Sequence, residues 1–264
     1  MNGTPDPTTG RGGMHAHGIS NLDADTTLSA SSVNALAEYG SLNYGLHNSS
    51  GAEATVSSGS FSGYGGAGTY GVYTVDSGTT LFTTSITALA DLGSDFNYGL
   101  HNDDGAEAAL RGGSYTGRGG IGATGINNHA GSTLFAANVA ALGENASMCE
   151  GFDNSGLATL RGGSFAGRSG AIVHGIYNVG TLEADHVTVV GRDGGSSSYG
   201  LYNGGSGTTT ANSSQFIGSS NGLDQQGGTV HLGVSQLDGG ANLSGGTLTC
   251  FQVYDGNYVA YTCP

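Results

Sequence analysis

Apolar residues in this chain come in short alternating runs, never in a sustained helical period. Segments such as "TLFTTSITALADL" 80–92 and "TLEADHVTVV" 181–190 set apolar or small residues at alternate positions and are bounded by Gly, Asn, Asp or Ser. Such runs read as half-buried strands joined by tight turns. A five-residue anchor punctuates them: "HGISN" 17–21, "YGLHN" 44–48, "YGVYT" 70–74, "YGLHN" 98–102, "TGINN" 124–128, "EGFDN" 150–154, "HGIYN" 174–178, "YGLYN" 199–203 and "NGLDQ" 221–225. Successive anchor glycines lie 22 to 28 residues apart. Two kinds of unit alternate between anchors, "RGGSYTGRGG" 111–120 and "STLFAANVAALGENAS" 132–147 being examples, so the full repeat is about 54 residues.

Internal repetition at this period is the mark of a solenoid. The spacing predicts an all-β, right-handed parallel β-helix of about nine coils, with three short strands per coil. Equivalent residues of successive coils then stack about 4.8 Å apart, which makes a rod of roughly 43 Å. Strand alternation sends three apolar columns inward. One is Ile19, Leu46, Val72, Leu100, Ile126, Phe152, Ile176, Leu201 and Leu223. A second is Val33, Phe61, Ile86, Tyr115, Val139, Phe165, Val187, Phe216 and Leu237. A third is Leu28, Val56, Leu81, Leu110, Leu134, Leu160 and Leu182. A polar column follows the first by two residues: Asn21, Asn48, Thr74, Asn102, Asn128, Asn154, Asn178, Asn203 and Gln225. It predicts an internal amide ladder, since stacked carboxamides hydrogen-bond along the stack.

Between the inward Leu and the Asn lies an outward column: Ser20, His47, Tyr73, His101, Asn127, Asp153, Tyr177, Tyr202 and Asp224. His47, Tyr73, His101, Asp153, Tyr177 and Tyr202 are the candidate ligand-binding residues, because Tyr faces stack on sugar rings. The anchor glycines beside them are expected to form a flat open strip. The competing reading is that the rings only stack on each other and stabilise the sheet.

Composition narrows the function classes. The chain has 264 residues, 52 Gly, no Lys and six Arg (11, 111, 118, 161, 168, 192), and its formal charge is −14. It lacks the basic patch that nucleic acid or an anionic membrane surface needs, and no apolar run reaches the ~20 residues of a membrane span. No signal peptide is visible, so an exported form has lost it. Cys250 and Cys263 bracket the last residues and are read as a disulfide, two free thiols being the alternative; Cys149 is left over and expected to be buried. The chain divides into a disordered lead or artificial boundary (1–10), the β-helix (11–249) and a C-terminal cap (250–264).

Candidate chemistry is sparse. Glu183, Asp185 and His186 form the best acid–base cluster, on a strand end. Arg111 matches Arg161, and Arg118 matches Arg168, two coils apart; surface ion pairing or a carboxylated sugar would use them. No cofactor and no metal site is expected. Calcium is the one ion the acidic turns at Asp23–Asp25, Asp91–Asp95 and Asp103–Asp104 leave open, and none of them has EF-hand or calcium-roll spacing. Threonine pairs at Thr26–Thr27, Thr79–Thr80 and Thr208–Thr209, with Ser132–Thr133, recur every second coil, a doubled spacing for an ice-binding face.

The stacked aliphatics and the asparagine column resemble the parallel β-helix of the pectate-lyase-like superfamily. More narrowly, the "YGLYN…TLRGGSF…GR" units resemble bacterial surface or secreted repeat proteins, which often end in a Cys-flanked segment. The resemblance implies a fold and an extracellular or cell-surface setting, a virion fibre included. Enzymes of that superfamily are mostly polysaccharide lyases and hydrolases. The expectation is a structural or adhesive rod that partners extracellular polysaccharide or copies of itself; a polysaccharide-binding module or polysaccharide lyase or hydrolase is the alternative, and an ice-binding protein the second alternative.

Overall fold

The structure, a computed structural model, describes residues 8–263. Its secondary structure is strand throughout, and every strand-to-strand ladder among the described residues is parallel. The nine anchors form a single parallel sheet in chain order, and Ala241–Leu243 adds a tenth strand. Each coil then crosses a second face (for example Glu107–Arg111, Thr133–Ala137, Leu157–Arg161) and a third (Ser114–Arg118, Ala140–Glu144, Ser164–Arg168) before the next anchor. In two early coils, Thr27–Glu38 and Glu53–Tyr64 run unbroken round the corner between these faces and link them into one sheet. The chain is thus a parallel β-solenoid.

Most coils turn that corner on one residue in the left-handed region, among them Ser85 (φ 53°), Asn138 (φ 54°), His186 (φ 56°) and Val234 (φ 47°), and others on two, such as Gly112 and Gly113. Residues 1–7 and 264 lie outside the described residues. The first strand, Thr8–Arg11, pairs with Ala35–Glu38.

The first apolar column stands as expected, from Ile19 through Phe152 to Leu223 in unbroken register. The other two do not. On the second face, Leu28, Ala54, Leu81, Ala108, Leu134, Ala158 and Leu182 share one row. Two residues along, Ala30, Val56, Thr83, Leu110, Ala136, Leu160 and Ala184 share another. Large and small residues alternate in each row, in opposite phase. The expected single leucine column is a zigzag between the two.

The third face repeats the device. Phe61, Tyr115, Phe165 and Phe216 alternate with Ala35, Ala88, Ala141 and Val189 in one row. Val33 pairs with Gly59 at the corner instead, and added Cβ atoms on Gly113 and Gly163 would meet the backbone of Ile86 and Val139. The coils of Phe61, Tyr115 and Phe165 have glycine at the corner (Gly59, Gly113, Gly163), while those of Ala88 and Ala141 have Ile86 and Val139 there; toward the C-terminus the pattern loosens to Val189 and Ser214. Each of these faces sends two rows inward, and a large residue in one is matched on the same coil by a small residue in the other, so interior density is met by a chequerboard. This accounts for the two-coil repeat. Where Thr83 occupies a small position, its hydroxyl lies 2.6 Å from the buried Tyr115 hydroxyl, which satisfies both.

The C-terminal end is closed. Cys250 and Cys263 are disulfide-bonded, Tyr254 and Ala260 form an antiparallel bridge, and Tyr261 packs on the core. The Tyr261 hydroxyl accepts a hydrogen bond from the Ala241 N–H at 3.1 Å, covering a strand edge that would otherwise be open.

Candidate functional site

The outer surface of the anchor sheet gathers most of the chemistry. Each anchor strand breaks strict alternation at its glycine, which drops out of the paired register. Residues on both sides of it, such as Tyr44 and His47, consequently face outward together, with ring centroids 5.0 Å apart. The glycine itself turns inward. A Cβ on Gly45 would lie 2.4 Å from the Ser62 nitrogen, and one on Gly151 2.3 Å from that of Ala166. Only glycine allows the anchor sheet to press so closely on the third face. The expected open glycine strip is therefore buried, and the surface is made by two side-chain rows.

One row is the expected one, Ser20 through Tyr202 to Asp224, extended by Asn242. It brings His47, Tyr73, His101, Asp153, Tyr177 and Tyr202 onto one face, all half-buried. The other row was missed: His17, Tyr44, Tyr70, Tyr98, Thr124, Glu150, His174, Tyr199 and Asn221. Its signal is the residue just before each anchor glycine.

Most rings in these rows stack along the rod. Tyr44 and Tyr70 are 4.9 Å apart at 12°, Tyr177 and Tyr202 4.9 Å at 6°, and Tyr73 and His101 5.3 Å at 27°. Ring faces are thus occupied by neighbouring rings, and the surface receives edges and hydroxyls. Burial raises the hydroxyl pKa of Tyr44 to about 12 and lowers that of the His47 imidazole to about 4, so both are neutral near pH 7.

Two coils interrupt the aromatic rows with Thr124, Asn127, Glu150 and Asp153. Asn127 Nδ2 donates to Asp153 Oδ2 at 2.6 Å, and Glu150 Oε1 lies 3.2 Å from His174 Nδ1. Burial, then the neighbouring Glu150 carboxylate, drives the Asp153 pKa well above the usual carboxylate range. Asp153 Oδ1 is buried without a hydrogen-bond partner. Glu150, however, is only 4% exposed and lies beneath its neighbours, while Asp153 is half-buried beside it.

Beneath this surface runs the amide ladder. Asn102 donates to Asn128 at 2.8 Å, Asn128 to Asn154 at 2.9 Å, Asn154 to Asn178 at 2.8 Å and Asn178 to Asn203 at 2.9 Å. Asn21 donates to Asn48 at 2.7 Å. The Nδ2 groups also bond backbone carbonyls, Asn154 reaching that of Thr181 at 3.1 Å. These asparagines are structural: they satisfy turn backbone from inside.

The remaining candidates are scattered. Asp185 and His186 are an exposed pair, 2.9 Å apart, at the corner of the solenoid. With Glu183, Asp185 lines a shallow depression of about 400 Å³ that also includes Arg161 and Thr210. Arg118 lies between Asp91 and Glu144, at 3.7 and 2.8 Å, a surface ion pair on the third face. Asp103 is engaged by His101 and His129 at 3.2 and 2.8 Å, and its hydrogen bond to His101 lowers its pKa to about 2. Among the described residues, no group of three or more His, Cys, Asp or Glu could hold a metal ion. Thr79 and Thr209 of the threonine pairs are buried. Thr181, Thr208, Thr229 and Thr247 do share a row on consecutive coils, but the parallel outward row holds Glu183, Thr210, His231 and Thr249. Cys149 is buried, beside Ala123 and Val173.

No protein-family model, curated protein or solved structure matches this chain, so the parallel β-solenoid and its stacked rows are what characterise it.

Proposed function

We propose that this chain is a structural or adhesive rod of a surface, secreted or virion-fibre protein. One observation carries this reading: on the anchor sheet, the residues best suited to bind a ligand are occupied by each other. Ring faces stack on rings, amides bond amides, the Glu150 carboxylate is covered and Asp153 is held by Asn127. Such ladders stiffen a solenoid whose coils contact mainly their neighbours. The Cys250–Cys263 bridge supports an oxidising, extracellular setting. The likeness of the repeat to the pectate-lyase-like superfamily supports the same setting.

Binding of a glycan along the anchor surface is the second reading, favoured by the half-buried rings of Tyr73, Tyr177 and Tyr202 in one row. With the ring faces stacked, contacts would come from hydroxyl edges.

The test incubates the protein with neutral and acidic polysaccharides, with and without Ca²⁺, and follows both retention and new chain ends. The rod reading expects neither, together with an elongated particle in small-angle scattering. Release of reducing or unsaturated ends would sink it. Retention without cleavage, lost in Tyr177→Ala/Tyr202→Ala, would establish the second reading.

A further inference from the structure

The second face carries a feature that neither the rod nor the anchor surface uses. Phe82, Ala109 and Phe135 occupy the same outward row on three consecutive coils. Phe82 is 48% exposed, and Phe135 is half-buried in the same row. Together with Thr80, Glu107 and Thr133, the three line a slot of about 150 Å³. An enclosed apolar cavity of about 150 Å³ takes a single benzene ring, so this slot, open to solvent on one side, has room for one.

The spacing agrees. Rows separated by two coils are about 9.6 Å apart. This chain stacks its own rings once per coil, at 4.9 Å for Tyr44–Tyr70 and for Tyr177–Tyr202. Ala109 is therefore a missing rung, flanked by two rungs that are present. The far side of Phe135 is taken by the Arg161 guanidinium, 5.9 Å over its ring, which leaves the side toward Ala109 open. Charge adds a direction. Arg111 lies two residues beyond Ala109 on the same outward face, exposed and without an ion-pair partner among the described residues. Glu107 lies two residues before Ala109 on the same face, so the slot has a carboxylate at one end and the Arg111 guanidinium beyond the other, and an acidic substituent is favoured at the Arg111 end alone.

We propose that the slot between Phe82 and Phe135 binds one planar aromatic ring bearing an acidic group, the ring completing the stack over Ala109 and the acid meeting Arg111. The inference is independent of the rod reading, since it concerns a different face.

Benzoate is the probe, with benzyl alcohol, cyclohexanecarboxylate and glucuronate as comparisons, each titrated into the intact chain and read by NMR. Benzoate should bind in preference to cyclohexanecarboxylate, which has the same charge without a planar ring. Phe82→Ala should weaken it about 10-fold, the worth of one favourable stacking pair. Arg111→Gln should weaken benzoate and leave benzyl alcohol unchanged. Ala109→Phe supplies the rung from the chain itself, and should abolish binding while raising Tm. The proposal is overturned if benzoate binds the Ala109→Phe variant as well as the parent, if cyclohexanecarboxylate or glucuronate binds more tightly, or if Ala109→Phe lowers Tm.

Discussion

The anchor sheet and the second face solve the same packing problem in opposite ways. On the anchor sheet most coils repeat their predecessor: a large apolar residue over another, amide over amide, ring over ring. On the second face each coil inverts its predecessor, Leu over Ala and Ala over Leu. Flat or hydrogen-bonding groups gain from repetition, because like groups at about 4.8 Å stack or bond. Bulky aliphatics at two facing positions per strand do not, because both would need more width than one rung offers. The first solution has a one-coil period and the second a two-coil period, and together they set the repeat.

The sharpest way to break this contrast is a swap that conserves volume within a coil but inverts its phase. Ala108→Leu/Leu110→Ala sets Leu against Leu in one row, at Leu81 and Leu134, and Ala against Ala136 in the other. It should lose about 3 kcal/mol or more in denaturant unfolding, through overpacking and a cavity together. A near-neutral result would show that only the volume per coil matters.

The repeating sheet should fail differently. Asn154→Ala removes a partner on both sides of the ladder and leaves buried amide groups unpaired, a loss of about 2–3 kcal/mol in the same assay. The ladder also contains a natural gap. Thr74 Oγ1 and Asn102 Oδ1 are buried without partners where a threonine replaces the amide. Thr74→Asn should therefore stabilise by about 1 kcal/mol.

At the corner, Val234 is a β-branched residue held at φ 47° where other coils use Ser, Gly, Asn, His or Gln. Val234→Gly should raise stability by about 1 kcal/mol, read as an increase in Tm. A fall in Tm would mean that the exposed Val234 side chain makes contacts worth more than its backbone strain.

The smallest effect belongs to the ring rows. His47 titrates near 4 in the fold because burial disfavours its charged form, with the nearby His17 adding to the shift, against 6.5 unperturbed. Between those values the unfolded chain takes up a proton that the folded chain refuses. Stability is thus full above pH 6.5 and declines as pH falls toward 4. A His47→Tyr variant, which matches Tyr44 and Tyr70, should show a shallower decline of Tm across that window. Identical profiles for the two proteins would exclude His47 as a contributor.

Legibility followed the same division. Rows that repeat every coil could be read along the chain: Ile19 to Leu223, the asparagines, and the outward His and Tyr positions are all in the expected register. Rows that alternate could not, since Leu110 and Leu134 look equivalent in sequence but lie two residues apart in register. Glu150 was overlooked for a related reason. Simple alternation gives one outward residue per anchor, and the break at the glycine creates a second. The corner residues carry little common signal, because Ser, Gly, Asn, His and Val all occupy the same left-handed position.

The sequence by itself determined the coil. Its period, its strand character and the chemistry of its ladders all follow from local spacing, because a solenoid makes its contacts between residues about one period apart. Only the tertiary structure decided which residues share a rung, which side of the anchor glycine faces outward, and where a ring is missing from a stack. Those depend on register between coils of unequal length, and register is settled by interior volume summed over three faces, a quantity that no single stretch of the chain contains.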